Sequence, residues 1–358
     1  MRFCVLAERQ VGIGSAAAAI ERHLRARSGV AWTDVTYFES GGLLERLPVP
    51  RRLSGTLRGY LQSGSALRKG PYDALFFLTH NPAVLRQFEI GRTPTLLWTD
   101  VTPALLDAQA EQYEHAVDRF EPLRRLKHGL VRRTFRRAAS CVGWSEWARR
   151  SFVDDYGVPE TRTRVVAPGV DLSRWTQAAG PDRSELPRVL FVGGNFARKG
   201  GDLLLDVFRR EFRGRCTLDV VTRDPLPEED GVRVHHGLSA TSPALLELYR
   251  KAAIFALPTR GDCFSIASLE AMASGLPVIV SAVGGIADIV EPGESGHLIA
   301  PSDGRALAEA LRTLISDPGR ARAMGTRGRR LVEERFDAKK TADRLFEILT
   351  AIARARAR

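Results

Sequence analysis

The stretch Pro258–Pro301, PTRGDCFSIASLEAMASGLPVIVSAVGGIADIVEPGESGHLIAP, decides how the rest of the chain is read. A polar loop containing Gly261 leads into a short amphipathic helix. Gly275 ends the helix, an apolar run follows at Val278–Val280, and Gly284-Gly285 makes a turn. Asp262 and Glu270 stand eight positions apart across the loop–helix junction. The start of a helix carries amides without intrahelical partners and a partial positive charge, so it suits an anion. Carboxylates at the same place can accept hydrogen bonds from sugar hydroxyls. The expectation is a phosphate and a sugar held together.

Working outward, apolar runs alternate with helical periodicity in both directions. Ile254–Leu257 is the strand that feeds the quoted stretch, and Arg188–Val192 is an earlier strand of the same half. Between them lie a glycine loop at Gly193–Gly201, a helix at 202–212 and strands at 217–221 and 232–235. The first half repeats the pattern. Met1–Leu6 reads as a strand, Glu8–Ser15 as a loop and Ala16–Arg27 as a helix with Ala17, Ile20 and Leu24 on one face. Further strands are expected at 30–38, 73–78, 95–98, 140–144 and 164–167, with a basic helix at 119–138. Such βα alternation predicts parallel sheets covered by helices on both faces. The polar segment Gln177–Pro187 reads as a linker. The expected organisation is an α/β chain of two Rossmann-like, doubly wound domains facing a central cleft. They span 1–177 and 188–335, and a basic helix at 336–358 packs back on the first.

Composition bounds the function classes. The chain has 358 residues, 44% of them hydrophobic and 27% charged, which suits two folded cores rather than disorder. No apolar run reaches the roughly 18–20 residues of a membrane span. The N-terminal run is too short for a signal peptide, with Glu8 following at once. Cys4, Cys141, Cys216 and Cys263 are far apart and without metal-ligand spacing, so they read as reduced thiols of a cytoplasmic protein. A net charge of +11, clustered at Arg119–Arg137 and from Arg320 onward, points to an anionic partner or to solvated helix faces.

The candidate chemistry gathers in two places. In the second half, Gly193 and Gly194 let backbone approach a ligand, Arg198 and Lys199 add two cations, and the helix beginning near Ser265 adds its dipole. Together these neutralise a diphosphate without a metal. Glu270 is placed for ribose hydroxyls and Asp262 for hexose hydroxyls; a turn or cap acid is the alternative for Asp262. In the first half, His80 and Asp100 follow two strands, and ligands of open α/β sheets bind beyond the carboxyl ends of strands. The pair Gly12 and Gly14 lacks the third glycine of a dinucleotide fingerprint and reads alone as a strand–helix turn.

These motifs resemble the retaining glycosyltransferases of family four, which have the GT-B fold. The matching residues are Asp262, then Glu270-Ala271-Met272-Ala273-Ser274-Gly275-Leu276-Pro277-Val278, then Gly284-Gly285 through Gly296. Pro168-Gly169-Val170-Asp171 and Gly193 through Lys199-Gly200 match two further family segments, and Gly12-Ile13-Gly14 sits where the family's first glycine loop sits. The resemblance implies a nucleotide-sugar donor, with Gly12, Gly14, Gly193 and Gly194 lining it and Arg198 and Lys199 on its diphosphate. It places Glu270 on the ribose and Asp262 on the transferred sugar, with the amides of Phe264, Ser265 and Ile266 nearby. His80 is implied near the reaction centre, and Asp100 replaces a family histidine where it handles the acceptor hydroxyl. The family pattern has Glu where Asp262 stands, and its usual donor-loop arginine is absent, Gly194 and Asn195 standing there. No carboxylate pair for double displacement can be placed, so the family reading is front-face attack assisted by the departing diphosphate, with no metal or other cofactor. The implied acceptor is a sugar or a lipid-linked molecule of polysaccharide or glycolipid synthesis, with the protein peripheral on an anionic inner membrane face. The alternatives are a soluble glycoside product, an epimerisation of the nucleotide sugar, a DNA-modifying transferase or other nucleic-acid binder, and a non-catalytic scaffold. No nucleic-acid recognition motif appears, and the oligomeric state is not legible.

Overall fold

In the computed structural model, which describes residues 1–9, 12–37, 51–115, 120–176 and 186–357, the strands form two separate six-stranded sheets. The first contains β1 (Phe3–Glu8), β2 (Val30–Val35), β3 (Ala74–Leu78), β4 (Thr95–Thr99), β5 (Ser140–Gly143) and β6 (Thr163–Val165). Their spatial order is β2-β1-β3-β4-β5-β6, all parallel. The second contains β7 (Arg188–Val192), β8 (Thr217–Val221), β9 (Val232–His235), β10 (Ile254–Leu257), β11 (Val278–Ser281) and β12 (Gly296–Ile299). Their order is β12-β11-β10-β7-β8-β9, again all parallel. Central strands such as FCVLAE, ALFFL and IFAL are buried along their whole length, as expected of strands with helices on both faces.

Both orders reverse direction once. In the first sheet the chain passes from β1 to β2 on one side, then returns to β3 on the other side of β1. In the second it runs β7, β8, β9, then returns to β10 beside β7. At such a switch point the loops leaving two adjacent strands diverge, and a crevice opens beyond their carboxyl ends. The two switch points are therefore Glu8 with Thr79–Asn81, and Gly193–Gly201 with Pro258–Asp262.

The chain divides into two units that do not follow its order. One comprises 1–108, 116–168 and 339–358; the other comprises 109–115 and 169–338. The helix Ala338–Ala357 thus lies mainly in the first unit, where Phe346 meets Phe3 edge to face at 5.5 Å and Asp343 pairs with Arg27. The change from first to second unit comes at Pro168–Gly169. The expected linker lies outside the described residues except for Leu186 and Pro187. All four cysteines are buried free thiols. Among the described residues no helix is long and apolar enough to cross a membrane.

Two local expectations are corrected. Glu8 is the last residue of β1 and fully buried, rather than the first of a loop. The first helix spans Ile13–Arg25, so Gly14 lies in its first turn and only Gly12, at φ 88°, belongs to the turn before it. Helical periodicity in the alanine-rich run locates the buried face but not the first turn, which the left-handed Gly12 sets.

Candidate functional site

The second switch point assembles most of the expected residues. The loop after β7 is tied down along its length. Gly193 N donates to the Val221 carbonyl at 2.9 Å, Phe196 N to Asp224 Oδ2 at 2.6 Å, and Arg198 N to Asn195 Oδ1 at 2.8 Å. The loop is also joined to the segment after β10, where Arg260 N donates to the Arg198 carbonyl at 2.8 Å. Gly200 lies at φ 76°, and a Cβ there would run into the Pro258 carbonyl. This is the close approach of two loops that a glycine permits.

Lys199 Nζ, delivered by that loop, forms an ion pair with Asp262 Oδ2. Asp262 is 5% exposed. The helix Ile266–Ala273 is capped not by Asp262 but by Ser265, whose side chain accepts from Ser268 N at 3.2 Å. The cap role is filled, and the Asp262 carboxylate is directed at the lysine instead. The amides of Ile266 and Ala267 open the helix and have no intrahelical acceptor. Behind Asp262, Gly284 sits at φ 54° where a Cβ would meet the Asp262 carbonyl, and Gly285 N donates to the Cys263 carbonyl at 2.9 Å. The Gly-Gly turn thus backs the acidic loop. Arg198 Nη1 donates to the Gly261 carbonyl at 2.6 Å, which keeps this guanidinium beside the same loop. Gly194 lies against the Arg223 guanidinium, and Phe264 is buried at the entry to the helix.

Glu270 lies on the helix itself and is also buried, with 7% of its surface exposed. Tyr249 donates its hydroxyl to Glu270 Oε2 at 3.1 Å, and Trp175 packs edge to face on Tyr249 at 5.0 Å. Burial raises the Glu270 carboxyl to about 7, against the lowering effects of the Tyr249 hydrogen bond and the Arg174 charge. Arg329 bonds both the Trp175 and Ala273 carbonyls, joining the Pro168–Trp175 segment to the end of the helix. Tyr249, Trp175, Asp224 and Arg329 are site-building residues that sequence reasoning misses. Each lies far along the chain and outside the recognised motifs.

Gly12, Gly14, His80 and Asp100 belong to the first unit, and its switch point is built differently from expectation. His80 is nine-tenths buried rather than facing open space, its ring 5.6 Å from that of Phe135. Burial lowers its pKa to about 4, so the imidazole is neutral at pH 7 and can hydrogen-bond but supplies no cation. Its Nδ1 is buried without a hydrogen-bond partner among the described residues. Asp100 directly follows β4, and its charge reaches Glu8. Glu8 is the group missed here. It accepts from the Thr79 hydroxyl and, at 3.4 Å, from Asn81 Nδ2. Burial raises its pKa to about 7, the Thr79 and Asn81 hydrogen bonds oppose that, and Asp100 adds a smaller upward push. Thr79 holds φ 87°, a conformation that costs a β-branched residue on the order of 1–3 kcal/mol. An acid closing an otherwise apolar strand is the signal that would have found Glu8. Among the described residues no group of His, Cys, Asp or Glu is arranged to hold a metal ion.

Residues 22–174 match a family model described as Glycosyltransferase Family 4, and residues 186–317 match one described as Glycosyl transferases group 1. The chain is 32% identical over 234 residues to the D-inositol 3-phosphate glycosyltransferase of Geodermatophilus obscurus, covering 57% of this chain and 50% of that protein. It is 28% identical over 244 residues to the glycogen synthase of Mycobacterium tuberculosis, covering 65% of this chain and 59% of that one. The chain spans about half the length of the curated relatives it matches. Among solved structures, the sucrose-phosphate synthase of Thermosynechococcus elongatus aligns with TM-score 0.79 at 18% identity, covering 99% of this chain and 100% of that one. Anabaena Alr3699/HepE, solved in complex with UDP and glucose, aligns with TM-score 0.72 at 17% identity, covering 98% and 99% of the two chains. At those identities the likeness is one of fold, the GT-B pairing of two Rossmann-like domains.

Proposed function

The chain belongs to the group 1 glycosyltransferases, and on that premise we propose that it moves a hexose-type sugar from a nucleoside diphosphate sugar to an acceptor hydroxyl. The observation that carries this reading is the meeting of Lys199 and Asp262 in front of the 266–273 helix, at the switch point of the second sheet. A cation, an acid and the Ile266 and Ala267 amides, which have no intrahelical acceptor, suit a leaving diphosphate on one side and sugar hydroxyls on the other. Lys199, Arg198 and the helix start take up the charge that develops as the sugar–phosphate bond breaks. Asp262 accepts from the transferred sugar, and Glu270 accepts from the ribose. The transfer keeps the anomeric configuration, with the departing diphosphate drawing the proton from the acceptor hydroxyl, and it needs no metal. The complex of Anabaena Alr3699/HepE with UDP-glucose supports a donor of this class.

In this reading Asp100 serves the acceptor hydroxyl, and His80 stands near the reaction centre as a neutral hydrogen-bonding group. The acceptor is a sugar or lipid-linked molecule, and the protein works peripherally at an anionic membrane surface. The helix Glu121–Arg137 supports the membrane part. It carries seven lysines and arginines against one acid. Phe120, Leu123, Leu126 and Leu130 form an exposed stripe at helical spacing, with Phe120 68% and Leu126 60% accessible. Each cation close to an anionic surface contributes about 1 kcal/mol.

The test is a panel of nucleotide sugars screened by thermal shift, followed by nucleoside diphosphate release with and without chelator and by configurational analysis of the product. Stabilisation by at least one nucleotide sugar, release with an acceptor present, and an unchanged rate in chelator are expected. No stabilisation by any donor would favour a non-catalytic scaffold. Flotation with phosphatidylserine but not phosphatidylcholine vesicles checks the membrane part alone.

A further inference from the structure

The segment Gln109–His115 lies in the chain between two helices of the first unit, yet it belongs to the second. There it packs on the acidic loop of the candidate donor site. The Tyr113 hydroxyl is 3.2 Å from Cys263 Sγ, and Gln109 Nε2 points to the Asp262 carbonyl at 3.5 Å. A Cβ on Gly261 would meet the Gln112 side chain at 2.6 Å. The guanidinium carbon of Arg198 lies over the Tyr113 ring, 4.3 Å from its centroid. Among the described residues the Arg198 side chain is therefore held by Nη1 on the Gly261 carbonyl and by its flat face on Tyr113, while its backbone is fixed by the amide on Asn195 and by Arg260 N on its carbonyl. None of these uses Nε or Nη2.

We propose that Tyr113 is a positioning residue of the donor site, seating Arg198 so that its remaining N–H groups face the diphosphate of the donor. The proposal rests on the assignment of Arg198 as a diphosphate ligand and adds a residue that no motif of the family pattern supplies. An arginine in a glycine loop is otherwise a long side chain with several rotamers, and binding an anion would cost the entropy of ordering it. Stacking and the Gly261 carbonyl fix the plane of the guanidinium beforehand, and a planar fork loses little when a phosphate arrives. Burial, with Cys263 and Asp262 nearby, pushes the Tyr113 phenol well above its ordinary pKa, so the ring carries no charge of its own to compete for Arg198.

The experiment is a double-mutant cycle read by calorimetry on the full chain, with UDP, GDP and ADP as probes and the tightest of the three carried through. Tyr113→Leu is expected to weaken binding about 3- to 10-fold, the range for a partly buried cation–π contact. Tyr113→Phe, which keeps the ring and loses the hydroxyl, is expected to restore affinity to within about twofold. With Arg198→Ala already present, Tyr113→Leu is expected to have no further effect. Equal losses from Tyr113→Leu in both backgrounds would make Tyr113 a packing residue and overturn the proposal while leaving the donor site intact. Unchanged affinity in Arg198→Ala would overturn the assignment of Arg198 and, with it, this one. Tyr113→Phe behaving like Tyr113→Leu would place the effect in the hydroxyl and also sink the proposal.

Discussion

Individual side chains in this molecule are defined by what burial does to their charge. Lys199 and Asp262 pair with each other, so each holds the other in place. Lys199→Ala is expected to lower turnover about 10²- to 10³-fold, the effect of losing one preorganised charge donor to a leaving group. Diphosphate release at saturating donor measures it, and near-normal turnover there would remove Lys199 from the chemistry. Glu8 and Glu270 show the opposite physics, since burial lifts both from an ordinary 4.5 to about 7. Below pH 4.5 each is protonated in both folded and unfolded chains, and its burial is free of charge cost. As pH rises toward 7 the unfolded chain ionises first, so stability is lost through that window, by up to about 3 kcal/mol per group. Glutamine mimics the protonated form. Melting of Glu8→Gln and Glu270→Gln between pH 5 and 8 is therefore expected to show each variant gaining on the parent as pH rises. A gap that is constant with pH would mean that the acids are ionised in the fold.

The elements that matter are loops, and they are shaped by glycine positions that the sequence displays without explaining. Gly284 and Gly293 both have positive φ, at 54° and 82°, and both lie in the motif-rich stretch. Their surroundings differ. A Cβ on Gly293 meets nothing within 4 Å, whereas one on Gly284 collides with the carbonyl of Asp262. Gly293→Ala should cost only the left-handed backbone penalty, about 1 kcal/mol. Gly284→Ala should cost more and should also weaken nucleoside diphosphate binding, because relief of the collision displaces Asp262. Denaturant melts and calorimetry on the two variants separate the effects; equal losses of stability with unchanged binding in both would deny Gly284 its place behind the acid. This contrast shows what the sequence made legible. The spacing of Asp262, Glu270, Gly275 and Gly284-Gly285 is enough to foresee an acidic loop, a helix start and a Gly-Gly turn in that order, because each needs those residue types at those intervals. It is not enough to foresee that Ser265 takes the cap and frees Asp262, or that Glu8 ends β1 buried, because both depend on where a turn begins by one or two residues. The burial of His80 against Phe135 was hidden for a different reason: the two residues are 55 positions apart, and only the packing of the 121–137 helix brings them together.

At the scale of the whole molecule, chain order and folded unit part company in two places. The alternation of strands and helices was enough to anticipate two doubly wound sheets, since hydrophobic periodicity is local. Local pattern carries no record of which core a short segment joins, and neither the placement of Gln109–His115 in the second unit nor that of Gly169–Trp175 could be read from it. The C-terminal helix 338–357 makes the consequence testable. Leu345 and Leu349 are buried, and Phe346 on Phe3 ties this helix to the first strand. The donor-side loops, from Gly193 through Gly285, lie wholly within the other unit. Leu345→Ala removes a buried side chain from the first unit and is expected to cost about 2–5 kcal/mol there. Nucleoside diphosphate affinity should stay within about twofold of the parent, because the diphosphate and ribose contacts proposed for Arg198, Lys199, the 266–273 helix start and Glu270 all lie in the second unit, and of the donor-lining residues only Gly12 and Gly14 lie in the first. Hydrogen exchange resolved along the chain, with and without UDP, reads both at once. Faster exchange in β1 and β3 with unchanged UDP protection of the 193–201 and 258–270 segments is expected. Loss of that protection in Leu345→Ala would mean that the donor site depends on the first unit, and that the second does not build it alone.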